Sequence, residues 1–139
     1  MSYATVEDMA ARFGESVLIQ LTDLARRGQV DTAAAQMALD DATAEMDGYL
    51  ARYTRPFATV PRILTVYCCD IARYRLATGM RQLTDDVQSR YDAAVAYLRL
   101  VAKGQAGLSG LPENSAPAAD STVVFAEPQQ KVFGRDRPY

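Results

Sequence analysis

The sequence predicts an all-α protein: a small bundle of about four to five helices, with an extended C-terminal arm containing short β segments. Three observations support this. Through residue 103, apolar side chains recur at spacings of three and four, the repeat of a single helix face. Capping residues open these runs, and glycine or proline closes them. After Lys103 the periodicity stops, and a stretch rich in glycine, proline, serine and alanine leads to two short β-like runs.

The first helix is expected after Thr5, an N-cap followed by Glu7 and Asp8, whose negative charge suits the positive end of the helix dipole. Met9, Ala10 and Phe13 form its apolar side, and Gly14 suits its end. A short second helix over residues 15–24 carries Val17, Leu18, Leu21 and Leu24, before Arg26-Arg27-Gly28-Gln29 breaks it. Asp31 then caps the longest helix, residues 32–53, with Leu39, Ala42, Met46, Tyr49, Leu50 and Tyr53 as its stripe. At 1.5 Å rise per residue such a helix reaches ~33 Å. Arg55-Pro56 and Val60-Pro61 bracket a loop, because proline lacks the N–H that a helix interior needs. Pro61 opens a fourth helix over residues 61–78. Its apolar residues, Leu64, Tyr67, Cys68, Ile71 and Leu76 among them, spread around the circumference, as in a central helix packed on several sides. Asp70 and Arg73 stand three apart on it, with Arg75 a further charge, a pattern that allows a local ion pair or a subunit contact. Gly79 ends this helix, and Thr84 with Asp85-Asp86 starts the fifth. There Val87, Tyr91, Ala94, Leu98 and Val101 make one stripe, and Ala93, Tyr97 and Leu100 a second. The second stripe packs either within the domain or against another copy.

Composition excludes several kinds of chemistry. Fifteen Lys and Arg against 17 Asp and Glu give a formal charge of −2, so no overall positive excess recruits nucleic-acid phosphates. The chain has no histidine, which removes the usual neutral-pH general base, Ser–His–Asp and Cys–His nucleophiles, and His-containing zinc sites. Cys68 and Cys69 are neighbours, ~100° apart around a helix, and read as buried thiols rather than a disulfide or a metal pair. The acid pairs Asp40-Asp41 and Asp85-Asp86 sit beside helix signals that account for them. No apolar run approaches the ~18 residues that span a bilayer, and Met1-Ser2-Tyr3-Ala4-Thr5 lacks a secretory layout. The expectation is a chain made in a reducing cytoplasm, with no cofactor, no metal, no membrane partner and no enzymatic activity.

Two features invite a partner. Asp40, Asp41, Glu45 and Asp47 flank the third helix away from its apolar stripe, either as a solvated face or as a surface with a task. The second feature is residues 104–139, a connector followed by Val123, Val124 and Phe125, then Val132 and Phe133. Two isolated strands are marginal in water, so such an arm is expected to add its strands to a partner. Arg135 and Arg137 would pair with acidic groups there. Fully extended, the segment reaches on the order of 100 Å.

One stretch reads Asp47-Gly48-Tyr49-Leu50-Ala51-Arg52-Tyr53-Thr54-Arg55-Pro56-Phe57, then Val60-Pro61 and Cys69-Asp70-Ile71-Ala72-Arg73-Tyr74-Arg75-Leu76. Together with Tyr3-Ala4-Thr5, Arg12-Phe13-Gly14 and the closing Lys131-Val132-Phe133-Gly134-Arg135-Asp136, it resembles the head–tail adaptor, or head-completion, family of Mu-like phages and prophages. The resemblance spans nearly the whole chain and is weakest over residues 116–121. Departures fall at the end: Lys131 where the family has arginine, Gly134 where serine is usual, and Arg137-Pro138-Tyr139 without the usual leucine.

The resemblance implies a structural virion protein at the neck. Residues 1–103 would be the adaptor domain and residues 104–139 the connector and arm. Implied partners are other copies in a dodecameric ring, the portal protein and the next neck or tail-completion protein, with DNA only as passing cargo. The acidic flank would then face the channel. An alternative from a different class is a small DNA-binding regulator, because Asp8 to Gly14 looks like the first half of a helix-turn-helix. Against it, no Arg or Lys stands between Gly14 and Arg26, where a recognition helix would meet phosphates.

Overall fold

The computed structural model describes residues 2–108, and five α-helices make up the regular structure among them. The arm residues Val123, Val124, Phe125, Val132, Phe133, Arg135 and Arg137 lie outside the described residues.

Helix α1 is Val6–Phe13 and α2 is Glu15–Thr22. Thr5 caps α1 as expected, in a reciprocal capping box. Its hydroxyl accepts the Asp8 N–H at 3.1 Å, and the Asp8 carboxylate accepts the Thr5 N–H at 2.9 Å. Gly14 alone joins the two helices, at a φ of 89° that side-chain-bearing residues rarely adopt. A helix-turn-helix needs a turn of three or four residues, so this pair does not have that geometry. Helix α2 ends at Thr22, two residues before the expected Leu24. The Thr22 hydroxyl donates to Leu18 O at 2.7 Å and accepts the Asp31 N–H at 3.0 Å. The Asp23 carboxylate then accepts the N–H groups of Arg27 and Gly28, closing the chain into a turn. Leu24 is left 76% exposed.

Helix α3 is Thr32–Asp47, capped by Asp31 through its 3.1 Å bond from the Ala34 N–H. It is shorter than the expected residues 32–53. After Gly48 the backbone changes to tighter i→i+3 bonds: Tyr49 N–H to Met46 O, Leu50 N–H to Asp47 O, and Tyr53 N–H to Leu50 O. The Arg55 guanidinium adds a second donor to the Asp47 carbonyl, at 3.2 Å, beyond the helix end. Leu50 and Tyr53 nevertheless stay buried, because tight turns with a period near three keep the same residues inward.

Helix α4 is Arg62–Gly79 and α5 is Asp85–Ala102, the latter capped by the Thr84 hydroxyl. Helix α4 packs against all four other helices, the central position expected from its apolar circumference. Leu18, Leu39, Met46, Leu64, Ile71 and Leu98 are wholly buried together, each contributing roughly 1.5–3 kcal/mol. Two tyrosine pairs join α4 to α5. Tyr74 stacks on Tyr91 with ring centroids 3.9 Å apart, and Tyr67 meets Tyr97 at 5.2 Å. On α5 the first stripe is internal, whereas Ala93 and Leu100 of the second face outward.

The packed chain runs five residues past position 103. Gly104, at φ 76°, turns the chain back beside the Arg52 guanidinium, where a Cβ would come within 2.9 Å of it. Leu108 enters the core at 4% exposure. Its N–H donates to the Tyr53 hydroxyl at 3.1 Å, while the Tyr97 hydroxyl donates to Gly107 O at 3.0 Å.

Candidate partner-binding site

The acidic flank of α3 divides into two. At 100° per residue, Asp40 and Asp47 lie ~20° apart, and Asp41 and Glu45 ~40° apart on another side. Asp40 accepts the Ser2 hydroxyl at 2.6 Å and the Gln36 amide at 2.9 Å, which hold its carboxyl below the usual range. Asp47 accepts the Tyr3 hydroxyl and pairs with Arg55 at 3.2 Å. Burial and that carboxylate push the Tyr3 phenol upward. Glu45 turns the other way, to Arg75 at 2.7 Å and the Tyr91 hydroxyl at 2.8 Å, tying α3 to α4 and α5. Burial first, and Glu45 second, raise Tyr91 to about 12. Asp41 is exposed, with no hydrogen bond or ion pair among the described residues. The four acids expected to form one face therefore divide, and three are engaged within the domain.

Both thiols are free and fully buried. Burial raises Cys68 to about 11 and Cys69 to about 12, and Cys68 lies 3.6 Å from the Thr43 hydroxyl inside the core. Thr43 also accepts the Tyr3 N–H, and Thr65 donates to Tyr3 O, so the N-terminal segment is pinned across α3 and α4. Among the described residues, no cluster of His, Cys, Asp and Glu is arranged to hold a metal ion. No helix there is long and apolar enough to cross a membrane.

A different set of residues forms a cavity of about 800 Å³ between α1, α4 and the start of α5. Arg12, Arg62, Arg73 and Arg90 line it together with Asp8 and Asp70. Phe13, Val60 and Val66 supply apolar wall. The local Asp70–Arg73 pair expected from their spacing does not form. Arg73 instead places its guanidinium 4.6 Å from the centre of the Phe13 ring and 4.0 Å from Asp86, which Arg90 holds at 3.1 Å. The Arg73 Nε is buried with no acceptor among the described residues. Asp70 is 8% exposed and has no hydrogen bond or ion pair among them either. Burial raises its carboxyl above the usual range, against the opposing pull of Arg90, Arg12 and Arg73.

Sequence reasoning missed this cavity because its charged residues are scattered from position 8 to position 90. One signal was present: Asp70 interrupts the apolar run over residues 66–72 of α4.

The fold and this cavity define a class, a small all-α domain with a polar, cationic cleft beside its core. Its family follows from comparison with known proteins. The chain belongs to the bacteriophage Mu Gp36 family, whose model matches residues 3–127. It is 34% identical over 135 residues to the Mu-like prophage FluMu protein gp36 of Haemophilus influenzae, covering 96% of this chain and 94% of that protein. It is likewise 34% identical over 137 residues to gene product J of Escherichia phage Mu, covering 97% and 96%. The Mu-like phage resemblance drawn from the Asp47–Leu76 stretch is thereby borne out. The span matched by the family model ends before Lys131.

Proposed function

We propose that the chain is a structural virion protein, a head–tail adaptor that forms a dodecameric ring beneath the portal. In this reading it extends the DNA channel and offers a platform to the next neck or tail-completion protein. Kinship with Mu proteins along nearly the whole chain supports the phage setting. The observation that carries the adaptor role is the division of labour at Leu108. A helical domain fixes that residue in its core, and the sequence of residues 109–139 after it carries the apolar and basic residues suited to a neighbour. Val123, Val124, Phe125, Val132 and Phe133 would dock by strand addition, with Arg135 and Arg137 pairing with acidic groups. Repetition around a ring turns weak single contacts into firm attachment.

The test is to mix the protein with portal-containing heads and score binding and onward tail joining, with the full chain and with a chain ending at Leu108. The full chain should bind and the truncated one should not; equal docking by both removes the arm from the mechanism. Asp40 and Asp41, both exposed, are the acids best placed to repel passing DNA from a channel wall. Their reversal to lysine should slow DNA ejection, and unchanged ejection would place them elsewhere.

A further inference from the structure

We propose that the cavity between α1, α4 and α5 is a receptor for a short acidic, partly apolar, extended segment of a partner protein. This goes beyond the adaptor reading and does not depend on it. Four arginines against two aspartates leave the lining with a net charge of +2, although the whole chain carries −2. Arg12 and Arg62 make no ion pair among the described residues, so their guanidinium groups are available for bidentate carboxylate contacts. Asp70 is the second, independent observation. It is a nine-tenths-buried carboxylate on the cavity wall with no hydrogen-bond donor among the described residues. Its carboxylate lines the cavity without a donor, so a ligand that brings N–H groups gains hydrogen bonds there.

The site thus lacks anions for its arginines and N–H groups for Asp70, and a peptide brings both. Its acidic side chains meet the guanidinium groups, and its main chain offers donors at every residue. Phe13, Val60 and Val66 give an apolar side chain somewhere to rest. The dimensions agree. From Arg62 to Arg73 the cavity follows α4 for ~16 Å, enough for about five extended residues. A DNA duplex fits less well, because its phosphates bring acceptors for the arginines but no N–H donor for Asp70.

The experiment titrates the full-length protein with a capped pentapeptide alternating glutamate and leucine, by calorimetry at low salt. The same peptide with glutamine for glutamate, inorganic phosphate and a 12-base-pair duplex serve as competing probes. Binding should weaken at least tenfold with the glutamine peptide and at least tenfold in Arg12→Gln/Arg62→Gln. Both of these arginines are exposed, so the fold is not at stake. The control Arg26→Gln/Arg27→Gln removes the same charge from an exposed loop and should change affinity less than twofold. In 15N NMR, the Arg73 Nε–H resonance should shift on adding the glutamate peptide. Absence of peptide binding overturns the proposal. So does equal binding of duplex or phosphate, or equal loss in the loop control. None of these outcomes bears on docking to heads, which tests the adaptor role separately.

Discussion

Helix α4 meets the rest of the molecule in two contrasting ways. Along one stripe, Leu64, Cys68 and Ile71 are fully buried, and even the Cys68 thiol has neighbours in Thr43 Oγ1 and Leu39 O. Toward α1 and the start of α5, Asp70 and Arg73 are buried or half-buried without a full set of partners. The first region is packed for stability. The second carries charges that stability alone does not explain, and residues that weaken a fold yet sit in a cavity are candidates for binding. The contrast teaches where to look for function in a protein with no histidine and no metal cluster among its described residues.

The contrast can be broken most directly at the packed side. Leu98→Ala, on the buried stripe of α5, should cost about 3 kcal/mol, read as a lower urea midpoint with an unchanged slope. A loss below ~1 kcal/mol would mean that the α4–α5 seam is not tightly packed. Leu108→Ala should cost about 2 kcal/mol by the same measurement, because Leu108 is seated in the core; no loss would detach it from the domain.

On the charged side the sign reverses. Asp70 has a raised carboxyl pKa because burial disfavours its ionised form. Its protonated form therefore favours folding at low pH, and that contribution is lost as pH rises through the raised value. Asp70→Asn should raise the melting temperature at pH 7, with the advantage shrinking as pH falls and Asp70 takes up its proton. A loss of stability at neutral pH would show that Asp70 has a supporting partner in the fold. The smallest expected effect concerns the thiols. With pKa values raised to about 11 and 12, Cys68 and Cys69 should resist iodoacetamide at pH 8 until urea unfolds the chain.

How much was legible depended on how local each signal was. The Thr5 capping box, the Thr84 cap and the central place of α4 could be read because a few adjacent residues or one continuous pattern encode them. The end of α3 could not. Leu50 and Tyr53 stay inward in tight turns as they would in a helix, so the apolar pattern does not register the change at Gly48. The acidic residues of α3 look like one group in sequence, but their angular positions divide them between Ser2, Arg55 and the α4–α5 side. Leu108 was hidden by its glycine-rich surroundings, since its burial depends on two distant tyrosines. The cavity was hidden for the same reason, with one trace left in Asp70.

The clasp on Leu108 also has a mechanical meaning. Tension on the chain beyond it enters the domain where Tyr53 and Tyr97 hold the backbone of residues 107 and 108. The load is shared between the turn that follows α3 and the C-terminal half of α5. Leu108 must leave its apolar seat before the pull can peel α5 from its end. Such a pull is therefore felt first by the body of the domain, as a load across its helices.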